Sequence, residues 1–254
     1  MITPQQIKSM KGKQKIVVLT AYDFPTAKLM DDIVDIILVG DSLGMVVLGY
    51  ENTKNVTMQD MIRATEAVAR GTKNALVVGD LPLGTYDDKK FALENTNFLL
   101  RAGAKSVKIE NKPEIAEFLV NNGIEVMGHI GLTPQSITNF KVQGKDEKTA
   151  KSLFDLARAL DKAGCFSIVL ECIPLDLAKK ITEEISIPTI GIGAGIYCDG
   201  QVLVTHDILG LFESFKPKFV KRYAEIGLEM KHAFKKYAEE VRERKFPSDE
   251  YSFH

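Results

Sequence analysis

The sequence predicts an α/β fold, a single (β/α)8 TIM-type barrel over residues 1–254 with an extra amphipathic helix near its C-terminal end. Three observations predict it. Short, uninterrupted apolar runs recur along the chain, and such runs suit strands buried on both faces of a parallel sheet. Five of them end in an ionisable residue: Ile36 to Val39 with Asp41 just beyond, Ala75 to Asp80, Ser106 to Glu110, Val126 to His129, and Ser167 to Glu171. Helix-forming segments alternate with the runs, and 254 residues is an ordinary length for one such barrel. A doubly wound open sheet is the alternative, but no GxGxxG follows the first strand.

In order, Ile16 to Thr20 is the first strand, and Pro25 opens the helix after it, since a first-turn residue needs no N–H. Ile36 to Val39 is the second strand, followed by a loop from Gly44 to Asn55. Thr57 caps the next helix with Asp60 three residues on, and Gly71 stops it. Leu76 to Gly79 is the third strand, with a helix from Lys90 to Arg101 behind it. The fourth, Ser106 to Glu110, precedes a helix opened by Pro113; the fifth, Val126 to His129, precedes a short helix started by Thr133-Pro134. Phe140 to Lys148 reads as a loop, and a helix from Thr149 to Ala163 leads to the sixth strand, Phe166 to Leu170. Pro174 opens the next helix, and Thr189 to Gly193 is the seventh strand. Gln201 to Thr205 is the candidate eighth, reached after only about eight residues where a crossover normally takes a dozen or more. Finally Phe219, Tyr223, Ile226, Met230, Phe234, Tyr237 and Val241 form a stripe at helical spacing, suited to packing on the barrel or on a neighbouring subunit.

Lys plus Arg number 33 against 34 for Asp plus Glu, so charge offers no case for nucleic acid or an anionic membrane. Cys165, Cys172 and Cys198 show no metal spacing and suit free thiols in a reducing compartment. The chain has neither a signal-peptide core near its start nor an apolar stretch of membrane-spanning length, which points to a cytoplasmic protein.

In such a barrel, chemistry sits at the C-terminal ends of the strands. Asp41 and Asp80 are both placed there, and two converging carboxylates repel unless a cation joins them. Mg²⁺ suits such a pair, because it takes oxygen ligands and keeps water or substrate oxygens; helix capping by each carboxylate is the structural alternative. Lys108 and Glu110, two apart on one strand, share a face. Lys108 would suit a substrate carboxylate or oxyanion, and Glu110 could join the metal directly or through water. An internal ion pair is the plainer reading of both. Glu171 ends a strongly apolar run, a setting that favours a general base, although a helix cap before Pro174 would also fit. His129 could bind substrate, orient an acid or serve as a structural hydrogen-bonding residue. Ser42, with no histidine near in sequence, reads as a substrate-binding hydroxyl or N–H. Gly191 to Gly195 reads as a tight turn.

Several long blocks, taken together, resemble the ketopantoate hydroxymethyltransferase family. They are Leu19 to Asp23, Leu38 to Tyr50, Val107 to Glu110, Met127 to Ser136, Lys141 to Gly144, Val169 to Cys172, Ile190 to Gly195 and Cys198 to Val204. The resemblance implies a Mg²⁺-dependent barrel that moves one carbon from 5,10-methylenetetrahydrofolate to 3-methyl-2-oxobutanoate, giving 2-dehydropantoate on the route to pantothenate and coenzyme A. It implies Asp41, Asp80 and Glu110 at the metal, and Asp41, Ser42, Asp80 and Lys108 at the 2-oxoacid. It also implies Glu171 as proton acceptor, His129 in the active site and a homodecamer. The chain departs from the family's common forms at Leu81 to Thr85, at Asn111-Lys112 and in a shorter loop before Lys141.

Overall fold

The computed structural model describes residues 1–135, 141–212 and 217–254. The chain forms two compact units, residues 1–204 and 205–254. The first is a closed barrel of eight parallel strands in sequence order: β1 (Ile16–Thr20), β2 (Ile36–Val39), β3 (Leu76–Asp80), β4 (Ser106–Glu110), β5 (Val126–Gly131), β6 (Ser167–Glu171), β7 (Thr189–Ile192) and β8 (Gly200–Leu203). Its helices are α1 (Pro4–Ser9), α2 (Phe24–Met30), α3 (Leu43–Val46), α4 (Met58–Gly71), α5 (Lys89–Arg101), α6 (Pro113–Asn121), α7 (Glu147–Lys162) and α8 (Leu175–Glu184).

The helix boundaries follow from local chemistry. Asp23, Thr57, Asp88 and Asp146 each accept a backbone N–H of the first turn of α2, α4, α5 and α7. Thr57 and Asp60 form a reciprocal capping box, as their spacing predicts. Pro113 opens α6 and Pro174 is the cap position of α8. Part of the expected Gly44 to Asn55 loop is helical: α3 lies there, with a 3-10 turn at Thr53–Asn55. The short helix expected after Thr133-Pro134 falls mainly on residues 136–140, outside the described residues, as does Phe140 of the expected loop.

Two apolar clusters divide the barrel. Ile37, Val39, Val77, Val107, Ile109, Val126, Ile130, Ile168 and Leu170 face outward and pack with the helices. The alternate residues, including Ile16, Val18, Ile36, Leu38, Leu76, Val78, Met127, Val169, Ile190 and Val202, fill the interior. Ile7 of α1, fully buried, joins this inner cluster, so α1 stoppers the end of the barrel where the strands begin. Sequence reading gave no helix there, because a six-residue segment with one large buried apolar side chain carries no periodicity.

The short β7–β8 link closes the barrel without a helix. Gly200 pairs with Ile190 of β7 and Ile16 of β1, and a Cβ there would lie 2.4 Å from the Ile16 carbonyl oxygen. Glycine permits that approach. Asp199 completes the seam: its carboxylate accepts from Lys11 Nζ (3.1 Å), Gly12 N–H (3.0 Å) and Thr189 N–H (2.9 Å).

The second unit contains α9 (Thr205–Ile208) and α10 (Ile226–Arg242). The helix starts at Ile226, so Phe219 and Tyr223 of the expected stripe lie before it, and no residue of α10 is buried. Among the described residues no helix is long and apolar enough to cross a membrane.

Burial opposes ionisation of Asp199, but the Thr189 N–H, Lys11 and the Gly12 N–H outweigh it and hold the carboxyl below its ordinary 3.8. A depressed folded pKa stabilises the fold above about pH 4 and loses that contribution as pH falls through the folded value. Asp199→Ala should therefore lower stability at pH 7 by roughly 2–3 kcal/mol, since the charged acceptor is removed and the Thr189 and Gly12 N–H groups and Lys11 lose their partner. In urea unfolding, the gap between variant and parent should narrow as pH drops below about 4.

Candidate active site

The inner face of each strand changes character along its length. On β3 it runs Leu76, Val78, Asp80; on β4 Ser106, Lys108, Glu110; on β5 Met127, His129; and on β6 Ser167, Val169, Glu171. Apolar side chains fill the barrel near the strand starts and ionisable ones crown it near the strand ends. Register places Asp80 beside Lys108, Glu110 beside His129 and Gly131 beside Glu171.

These neighbours touch in strand order. The Asp41 N–H, just past β2, donates to Asp80 Oδ2 at 3.4 Å. Lys108 Nζ lies 2.6 Å from the same oxygen and 3.8 Å from Glu110 Oε1. His129 Nδ1 is 3.1 Å from Glu110 Oε1, and Nε2 is 3.2 Å from Glu171 Oε2, although neither N–H points squarely at its oxygen. Every residue singled out on the strand ends thus joins one array. Asp41, Asp80, Lys108, Glu110 and His129 are all buried; the Glu171 side chain keeps 15% exposure, on the strand across the ring from β2. Ser42, at the start of α3, shares a hydrogen bond between its Oγ and the Tyr22 hydroxyl at 2.8 Å.

Charge follows from this packing. Burial, then the charges of Asp80 and Glu110, push the Asp41 carboxyl well above the usual carboxylate range. Burial raises Asp80 too, against the pull of Lys108. For Glu110, burial is outweighed by His129 and Lys108, and its carboxyl is held below the ordinary value. Burial disfavours the Lys108 ammonium, yet Asp80, Glu110 and Asp41 hold it above its ordinary value. His129, likewise buried, is held up to about 9 by Glu110 and Glu171, so it is cationic near neutrality.

The turns after the acids are tightly constrained. Asn111 and Cys172, immediately after Glu110 and Glu171, both have positive φ, 53° and 48°. Asn111 is pinned there by its N–H to the His129 carbonyl (3.1 Å) and its Nδ2 to Thr133 Oγ1 (2.9 Å). Gly131 has φ 102°, and a Cβ on it would sit 2.1 Å from the Glu171 carbonyl oxygen. The run Gly191 to Gly195 forms a turn with positive φ at Gly193 and Gly195.

Two residues of the array carry no sequence signal of chemistry, Tyr86 and Gln135. The Gln135 Nε2 donates to Asp41 Oδ2 at 2.8 Å and to the Leu81 carbonyl at 3.0 Å, and the Tyr86 hydroxyl donates to Gln135 Oε1 at 2.5 Å. An amide and a phenol in loops show no periodicity and no metal-ligand spacing; only the fold brings them to Asp41.

Comparison with known proteins follows the same direction. A family profile described as ketopantoate hydroxymethyltransferase matches residues 1–249. Relatives described as 3-methyl-2-oxobutanoate hydroxymethyltransferase include one from Clostridium botulinum (strain Langeland), 55% identical over 99% of this chain and 94% of its own. Another, from Carboxydothermus hydrogenoformans, is 52% identical over 99% and 95%. Among solved structures, 2,3-dimethylmalate lyase, a PEP mutase/isocitrate lyase superfamily member, aligns with TM-score 0.64 at 14% identity over 99% of this chain and 89% of that one. Phosphonopyruvate hydrolase aligns with TM-score 0.64 at 11% identity, over 98% and 93%. These two likenesses are of fold.

Lys108→Met should strip the compensating cation from Asp80. Removing one partner of a buried ion pair costs about 3–5 kcal/mol, and the combined Asp80→Asn, Lys108→Met variant should recover a large part of it. Urea unfolding of the four proteins of that cycle measures the recovery; simple additivity of the two losses would mean the pair is not coupled.

Proposed function

Because the chain belongs to the ketopantoate hydroxymethyltransferase family, we propose that it transfers a hydroxymethyl group from 5,10-methylenetetrahydrofolate to 3-methyl-2-oxobutanoate. The product is 2-dehydropantoate, on the route to pantothenate and coenzyme A, and the reaction uses Mg²⁺ at the strand-end acids. The observation that carries this reading is the array of acids around Lys108, with one carboxylate oxygen, Asp80 Oδ1, buried and without a hydrogen-bond partner.

The residues fit a hard divalent cation. Asp41, Asp80, Glu110 and Glu171 face the two cations Lys108 and His129, so the fully ionised array carries two uncompensated negative charges. Among the described residues no three His, Cys, Asp or Glu form a ready-made metal cage. Mg²⁺ asks for no such cage, since it binds through one or two carboxylates and takes its other oxygens from substrate and water. Asp41 and Asp80 are therefore the proposed direct ligands. Both Glu110 oxygens face protein donors, His129 and Lys108 on one and the Gln135 N–H on the other. That favours contact through water for Glu110.

When bound, the ion would draw electron density from the keto group and so acidify the neighbouring C3–H. Glu171, the most exposed acid of the array, is the proposed acceptor of that proton. Its partner His129 is already protonated near neutrality, so it orients the Glu171 side chain and does not compete as base. Lys108 is an ammonium for the same reason, which suits pairing with the developing oxyanion and excludes a neutral-amine nucleophile. Ser42, beside Asp41, is the proposed hydroxyl for the substrate carboxylate. The carbanion left at C3 would form its bond to the one-carbon unit of the folate while that unit's bonds to N5 and N10 break. Water supplies the hydroxyl, and the C3 proton and one water proton end on the two nitrogens of the departing tetrahydrofolate.

The same reading places the protein in the cytoplasm as a homodecamer. The unburied face of α10, with Phe234, Tyr237 and Val241 exposed, supports assembly.

Product formation from 3-methyl-2-oxobutanoate and 5,10-methylenetetrahydrofolate, with and without Mg²⁺, tests the activity. Glu171→Gln keeps shape but loses the proton acceptor, so exchange of the C3 hydrogen into D₂O should fall ~10²–10⁴-fold while oxoacid binding persists. Parental exchange by the variant in NMR would move the base elsewhere.

A further inference from the structure

Gln135 is 2% exposed and every polar atom of its side chain is engaged by the site. Its Nε2 donates to Asp41 Oδ2 (2.8 Å) and to the Leu81 carbonyl (3.0 Å), while its Oε1 accepts from the Tyr86 hydroxyl (2.5 Å). The Tyr86 oxygen in turn accepts from the Glu110 N–H at 3.3 Å, and the Gln135 N–H donates to Glu110 Oε2 at 3.4 Å. One glutamine therefore bridges two acids of the array, by its side chain to Asp41 and by its backbone to Glu110.

The direction of this network is fixed by chemistry. Asp41 Oδ2 and the Leu81 carbonyl are both acceptors, so a flipped amide would set a third acceptor against them. The Tyr86 oxygen already receives the Glu110 N–H, which leaves its own proton for Gln135 Oε1. Lys112 holds the phenol from outside, with Nζ 5.3 Å from the ring centroid and 2.7 Å from Asp87 Oδ1. A neutral amide here orients a carboxylate without adding positive charge, whereas a lysine or arginine would repel a cation.

We propose that Gln135 is a positioning residue for the metal site, its amide fixing which oxygen of Asp41 turns to the divalent ion, with Tyr86 locking the amide. The proposal rests on Asp41 being a ligand of that ion. Partners of this kind, bonded to a ligand and not to the metal, typically carry 10–100-fold in metal affinity.

The test is a calorimetric titration of the intact protein with Mg²⁺, with and without 3-methyl-2-oxobutanoate, alongside thermal unfolding of each metal-free variant. Gln135→Met keeps length but removes both hydrogen-bonding functions, and should weaken Mg²⁺ binding about 10–100-fold. Tyr86→Phe leaves the amide in place but removes its lock, along with the acceptor of the Glu110 N–H, and should weaken Mg²⁺ binding roughly 2–10-fold, the equivalent of the lost bond to Gln135. Parental Mg²⁺ affinity in a folded Gln135→Met protein, with only its melting temperature lowered, overturns the proposal by assigning Gln135 to packing. If Gln135→Met does not fold, Tyr86→Phe decides by the same titration, and unchanged affinity overturns the proposal. Asp41→Asn separates the two levels. Lost Mg²⁺ binding there, with parental binding in Gln135→Met, removes the positioning role alone; parental binding in Asp41→Asn removes the metal reading and the positioning role together.

Discussion

The buried Lys108 ammonium is the constraint on which the rest of the site depends. A charge taken out of water is tolerated only if opposite charges and hydrogen bonds surround it. Here Asp80 lies at 2.6 Å and Glu110 at 3.8 Å, and each is in turn tied to a further residue. Asp80 is linked to Asp41, Glu110 to His129, and His129 to Glu171. Placing one lysine inside a barrel thus accounts for an arc of charged residues over five consecutive strand ends. The arc remains over-supplied with carboxylates, Asp41, Asp80, Glu110 and Glu171 against the two cations Lys108 and His129.

The two ends of the barrel divide the work. Near the strand starts the interior is apolar and stabilises the fold by burial, with Ile7 filling the opening. Near the strand ends the same period-two alternation delivers ionisable groups instead. No separate scaffold is needed to aim them, because a residue two positions beyond a core side chain inherits its direction. The positive-φ residues Asn111 and Cys172 then carry the chain away directly after Glu110 and Glu171, and Gly131 does so two residues after His129.

Much of this was legible in the sequence because buried parallel strands are apolar on both faces, so an ionisable residue closing such a run is conspicuous. Asp80, Glu110, His129 and Glu171 each close such a run, Lys108 shares a strand face with Glu110, and the barrel follows from the recurrence. What escaped lacks a periodic signal. The helix α1 shows one buried isoleucine. The closing strand, by contrast, is read from the sequence despite a link too short for a helix, which works because Gly200 lets Ile16 approach; it ends at Leu203, before the expected Thr205. Gln135 and Tyr86 escaped for another reason. The role of an amide depends on which groups surround it, and Asp41, Leu81 and Tyr86 converge from three separate segments only after folding.

The stopper formed by α1 sets a direction. With Ile7 and the apolar layers above it filling the barrel from the strand starts, the charged array faces out at the strand ends, where Glu171 is the least buried of its acids. Access to Lys108 and Asp80 is one-sided because the opposite end of the barrel is packed solid by a short helix that carries no chemistry of its own.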